Sequence, residues 1–148
     1  MAELKAKLPR GKRLLGFDVG EKTIGLALSD TTLTVASPMA TLLRVKFTKD
    51  VERIRAIVSE QGVGGFVIGL PINMDGSEGP RCQSVRQFAA NLLEKIDLPL
   101  VFWDERLSTA AVTRTLLEAD MSRKRRRETV DKMAAAYILQ GALDAARG

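Results

Sequence analysis

The chain opens with short, dense apolar runs separated by a few polar residues, which is the pattern of strands and tight turns. Arg13–Val19 is one run, residues 24–29 form the next after "GEK", and "LTVASPMATLLR" supplies a third. Gly20 and Gly25 punctuate them, and the short separations predict an antiparallel hairpin and meander. The pattern then changes. In "TKDVERIRAIVSEQG", Val51, Ile54, Ile57 and Val58 recur at helical spacing, and Gly62 is placed to cap the helix C-terminus. "GGFVIGLP" reads as a buried strand closed by Pro71, and "INMDGSEG" as a polar loop. Pro80 suits the first turn of a helix that runs to about Asp97 and buries Val85, Phe88, Ala89, Leu92 and Leu93. "LPLVFWDE" is a further buried strand. Ser108 is placed to cap a helix ending near Ala119, a basic loop follows, and "ETVDKMAAAYILQGALDAA" closes the chain as a helix.

Three strands followed by helix, strand, helix, strand and two helices is an α/β order. Strands that alternate with helices need crossover connections, so the later strands are expected to be parallel. The expected architecture is a mixed sheet with helices on both faces, forming one domain over residues 1–148, with 1–12 as a flexible basic arm. No apolar run approaches the roughly 20 residues of a membrane span, and the N-terminus has no signal-length apolar stretch. A cytoplasmic protein is expected.

Composition narrows the chemistry by what is missing. There is no histidine, which removes the commonest general base, the Ser-His and Cys-His nucleophile systems and the usual zinc ligand. Cys82 is the only cysteine, so neither an internal disulfide nor a thiolate metal cage can form, and it reads as a buried helix residue. The net charge of +5 equals the five positive charges of "RKRRR" at 123–127, which leaves the rest of the chain formally neutral. That excess is local. Arg123, Lys124, Arg125, Arg126 and Arg127 therefore read as the footprint of a polyanion.

One residue conflicts with its surroundings. Asp18 sits among Leu14, Leu15, Phe17 and Val19, where an ionised carboxylate needs a partner. Asp104 and Glu105 end another strand, and ligands of open α/β sheets bind beyond the carboxyl ends of strands. Asp131 falls inside the apolar arc of the last helix when residues are placed about 100° apart, and within its first turn or so, where the helix dipole favours a negative charge. Carboxylates drawn into one crevice repel one another, and a divalent cation removes that conflict. Oxygen donors alone suit magnesium or manganese. One or two such ions can drive in-line phosphodiester hydrolysis without a histidine. Around the acids, Gly16, Gly20 and Gly25 permit close backbone approach. Lys22 is placed to meet a phosphate, while Asn73 and Asp75 form a turn that can reach the crevice. Arg106 is either a salt-bridge partner of the acids or a phosphate contact.

Four stretches, "FDVGEKTIGLALSD", "VIGLPINMDGSEG", "DERLST" and "VDKMAAAYIL", occur in order over about residues 13–143. Together they resemble the YqgF-type family, described as Holliday junction resolvases and as nucleases that mature pre-16S ribosomal RNA. The resemblance implies a ribonuclease-H-like fold with a five-stranded mixed sheet. It also implies metal-binding catalytic acids on the first strand, at the end of the last strand and on the last helix. By position these are Asp18, Glu105 and Asp131. Residue alternation leaves Asp104 and Glu105 open, and the family's "DER" pattern favours Glu105. Thr23 departs from the family, which often has Arg there.

The function implied is a Mg2+- or Mn2+-dependent endonuclease or exonuclease in 5′-end maturation of pre-16S rRNA, with the small-subunit precursor as partner. The alternatives are a resolvase acting on branched DNA, or a non-catalytic RNA-binding ribosome-assembly factor. A monomer or a homodimer is compatible with the sequence, and a junction resolvase needs two active sites.

Overall fold

The computed structural model describes residues 4, 8–107 and 123–147, and the side chains of these except 123–130 and 147. Five strands form one sheet: β1 (Arg13–Val19), β2 (Thr23–Ser29), β3 (Ala36–Leu43), β4 (Val63–Leu70) and β5 (Leu100–Asp104). Their spatial order is β3-β2-β1-β4-β5. β1–β2 and β2–β3 are antiparallel, while β1–β4 and β4–β5 are parallel. The expected three-antiparallel, two-parallel sheet is present, with helices α1 (Phe47–Gln61), α2 (Pro80–Lys95) and α3 (Arg123–Arg147). The predicted helix capped by Ser108 lies outside the described residues.

Local chemistry sets most boundaries. Gly62 ends α1 in the left-handed conformation, φ 65°, and donates its N–H to the Val58 carbonyl, a geometry costly for residues with a Cβ. Pro80 opens α2, where its missing N–H is no loss. Pro38 sits on the edge strand β3 opposite Ala27, next to a bulge, where no ladder donor is needed.

β1 sorts its side chains between two cores. Leu15, Phe17 and Val19 join Ile24, Leu26, Phe66 and Ile68 beneath α1 and α2, with Ile54, Val85, Phe88 and Leu92 filling the layer. Phe66 meets Phe17 edge-on at 5.4 Å between ring centroids. Cys82 is buried in this layer, as expected, and burial pushes its thiol pKa up. Leu93, expected in the same stripe, is exposed instead. On the other face, Leu14, Ala27 and Val67 pack against Ala134, Ala135, Ile138, Leu139 and Ala142 of α3.

Glycines thin that second face and bring α3 unusually close. A Cβ at Gly16 would stand 2.8 Å from the Leu139 Cβ, and one at Gly69 would stand 2.4 Å from Ile138 Cδ1. At Gly25 it would lie 2.0 Å from the Asp131 carbonyl oxygen. Close packing of this kind needs small residues on both partners, and the alanines of α3 supply the other half.

Two further expectations change. Residues 123–127, expected as a loop, are the first turns of α3. Arg and Lys are strong helix formers, and no Gly or Pro separates them from the apolar stripe that follows. The N-terminal stretch expected as a flexible arm is held at two points: Leu4 is 3% exposed within the α3-side core, and Leu8 packs against it.

Candidate active site

Strand register fixes the surroundings of Asp18. It is paired with Gly25 on β2, and the β1–β4 ladder pairs its neighbour Phe17 with Ile68, bringing Asp18 beside Gly69. Strand alternation points it to the α3 face, where it is 6% exposed. The bare positions at Gly25 and Gly69 thus flank the carboxylate on both sides.

The other two candidate acids border those same glycines. Asp131 is carried to Gly25 by its own backbone, whose carbonyl oxygen covers the glycine. Its carboxylate accepts a hydrogen bond from the Thr23 hydroxyl. Glu105 begins a 3-10 turn just past β5, and its Cγ lies 3.2 Å from where a Gly69 Cβ would stand. Asp18, Glu105 and Asp131 therefore all border Gly25 and Gly69 at the carboxyl end of β1 and β4, where α3 packs directly on the sheet. They do not close on a point: among the described residues, no three acidic or cysteine side chains form a ready-made metal cage. The donor chemistry of the three acids is all oxygen, the set that suits a hard divalent cation.

Asp104 has a different role. It pairs with Leu70 in the ladder and so lies on the opposite face to Glu105's neighbour Gly69. Its carboxylate accepts the Arg106 guanidinium at 2.7 and 3.0 Å and the Arg106 backbone N–H at 2.9 Å. These bonds hold the Asp104 carboxyl below its ordinary pKa and raise that of Arg106. Arg106 thus forms a salt bridge with Asp104. Arg106 also reaches the Asn73 carbonyl, at 3.5 Å, so it joins the 73–77 loop to the end of β5.

That loop is a self-contained turn. Asn73 Nδ2 donates to Ser77 Oγ at 3.1 Å, and the Gly76 N–H donates to the Asn73 carbonyl at 2.8 Å. Asp75 accepts both the Ser77 hydroxyl and its N–H, and these bonds lower its pKa. Lys22 is exposed on the β1–β2 turn. Arg123, Lys124, Arg125, Arg126 and Arg127 lie at the start of α3, with side chains outside the description. Asp131 consequently stands in the third turn of the helix and not the first, which removes it from the reach of the helix dipole.

Two contributors escape a reading of motifs. Thr23 is 7% exposed and holds Asp131, and its place in a small-residue alternation of Thr23, Gly25 and Ala27 is the sequence signal. Arg44 clasps the turn after Asp18: its guanidinium donates to the Gly20 carbonyl at 2.7 Å and lies 5.4 Å from the centroid of the Phe88 ring. Its backbone N–H donates to the Lys22 carbonyl at 2.8 Å. A cleft of about 510 Å³ behind this turn is lined by Val19, Arg44, Phe47 and Arg81, and none of the three acids lines it. The buried Asp50 is a structural acid, paired with Arg53.

No helix among the described residues is long and apolar enough to cross a membrane. A sequence model of the family described as "RuvX: Holliday junction resolvase" matches residues 12–145. A protein of Paramagnetospirillum magneticum named "Putative pre-16S rRNA nuclease" is 68% identical over 143 residues, 97% of this chain and 92% of that one. One of the same name from Roseobacter denitrificans is 60% identical over 99% of this chain and 91% of its own length. Among solved structures, "T. thermophilus RuvC in complex with Holliday junction substrate" has a similar fold, with a TM-score of 0.53 at 12% identity. That match covers 93% of this chain and 96% of the other.

Proposed function

Because the chain belongs to the RuvX family of Holliday junction resolvases, we propose that it hydrolyses phosphodiester bonds, acting in 5′-end maturation of pre-16S rRNA in the cytoplasm. The observation that carries the reading is the placement of Asp18, Glu105 and Asp131 around Gly25 and Gly69. The names of close relatives supply the substrate.

The three carboxylates would hold Mg2+ or Mn2+. When bound, such a cation neutralises charge on the scissile phosphate and acidifies the attacking water. The protein's own contribution is placement. Asp18 is fixed by the central strand of the sheet, Asp131 by a helix packed directly on glycine, and Glu105 by the turn ending β5. The Asp104–Arg106 pair supports that turn from the opposite face. Rigid placement of this kind is what in-line displacement requires. The basic residues 123–127 lie about one to two turns before Asp131 on the same helix, so they hold the substrate backbone next to the acids.

The family description and the RuvC-like fold favour a second substrate, four-way junction DNA. One assay separates the two. The parent protein and Asp18→Asn are given a pre-16S rRNA fragment and junction DNA, with Mg2+ or Mn2+. The parent is expected to cut the RNA, and Asp18→Asn to bind it without cutting. Cleavage of the junction alone would transfer the reading to DNA. No cleavage by the parent, or equal cleavage by both proteins, would overturn it and leave a binding factor.

A further inference from the structure

We infer that Thr23 is the positioning residue for Asp131, presenting that carboxylate to the divalent cation; the inference rests on the reading of the three acids as a cation site. Asp131 comes from a helix and Asp18 from the sheet, so some contact must set the distance between them. The approach of α3 to Gly25 sets the backbone, and the Thr23 hydroxyl is the side-chain contact that sets the carboxylate. It donates to Asp131 Oδ2 across 108 residues of sequence, from a strand position only 7% exposed.

Thr23 is itself well anchored. It begins β2, its carbonyl accepts the Gly20 N–H at 2.8 Å, and its ladder partner is Leu43. The turn between Asp18 and Thr23 is clamped by Arg44 through the Gly20 and Lys22 carbonyls. The hydroxyl therefore stands on the same rigid hairpin that carries Asp18. An ionised carboxylate has about four acceptor sites, so accepting one hydroxyl leaves capacity for a cation. The bond also fixes which way Asp131 turns. Hydrogen bonds to ligating carboxylates orient them, and their loss typically weakens metal affinity by about 10–100-fold.

Valine keeps the shape of threonine and removes the hydroxyl, and serine keeps the hydroxyl and removes the methyl. The test is calorimetric titration of Mn2+ alone into the parent, Thr23→Val and Thr23→Ser, followed by the metal dependence of cleavage. Thr23→Val is expected to bind Mn2+ about 10–100-fold more weakly. The Mn2+ concentration that half-saturates its cleavage is expected to rise by the same factor. Thr23→Ser is expected to bind as the parent does.

Equal affinity in the parent and Thr23→Val would overturn the inference and leave the cation site standing. So would a Thr23→Ser protein as weak as Thr23→Val, because the methyl would then be the part that matters. Where Thr23→Val fails to fold, Thr23→Ser is compared with the parent instead, and binding weaker than the parent's by about tenfold or more overturns the inference. A parent that takes up no Mn2+ would instead overturn the cation site on which the inference rests.

Discussion

Gly25→Ala puts the tightest glycine position among the described residues under load. The new methyl carbon would lie 2.0 Å from the Asp131 carbonyl oxygen, 2.4 Å from its carbon and 3.0 Å from the Lys132 nitrogen, all backbone atoms. Ordinary contact begins at 3.4 Å, so α3 must retreat by about 1.4 Å at this turn or β2 must buckle. No flexible side chain can absorb the strain. Overpacking of a tight core costs about 1–3 kcal/mol, and backbone neighbours place this case at the upper end. Relief of glycine's excess entropy returns about 0.5–1 kcal/mol. The net loss is about 2 kcal/mol, which lowers the urea midpoint by roughly 1 M for a domain of this size. Trp103 is the only tryptophan and lies against Gly141 of α3, so its emission reports the docking of the helix. The same retreat carries Asp131 away from Asp18, and misplacement of about 1 Å can cost about a hundredfold in rate. Urea unfolding followed at Trp103, with cleavage rates of the folded variant, reads both effects. If Gly25→Ala unfolded at the parent's midpoint and cut at the parent's rate, the close approach of α3 to β2 would be refuted.

Other outcomes follow from residues away from that contact. Asp30 accepts the backbone N–H groups of Thr34 and Val35 at 2.7 and 3.1 Å, and the Thr32 hydroxyl as well. The hydroxyl bond is the largest cause of a carboxyl pKa lowered from 3.8 to about 2. Because the folded value is depressed, its contribution to stability is complete above the unfolded pKa and is lost as pH falls through about 2. Carboxyl NMR titration is expected to give that midpoint, and a value near 3.8 would show that the loop bonds do not form in solution. Changing Arg125, Arg126 and Arg127 together to Ala is expected to weaken RNA binding and flatten the plot of log affinity against log salt by about two to three units of slope. An unchanged slope would remove the start of α3 from the binding surface.

Elements governed by local rules were readable from the chain. The Gly62 cap, the Pro80 helix start and the Pro71 strand end follow from backbone stereochemistry within a few residues. Asp18 was also conspicuous, because an acid in an apolar strand is costly wherever that strand lies. What depended on register was not readable. Gly16, Gly25 and Gly69 form one surface only because three strands align them, and single-chain spacing does not reveal that. The placement of Asp104 and Glu105 depends on where β5 stops. It ends at Asp104, and the 3-10 turn then carries Glu105 beside Gly69. The charge density of residues 123–127 suggests a loop, but Arg and Lys favour helix and no Gly or Pro interrupts them. Thr23 departs from the family pattern, and its alternation with Gly25 and Ala27 marks the face that α3 covers.

The central claim is that residues 18, 105 and 131 share one cation. Calorimetric titration of Mn2+ into the parent and into Asp18→Asn, Glu105→Gln and Asp131→Asn tests it most directly. Saturable uptake by the parent, weakened in all three variants while their Trp103 emission stays native, is the predicted result. Uptake that is absent from the parent, or indifferent to all three substitutions, would contradict it.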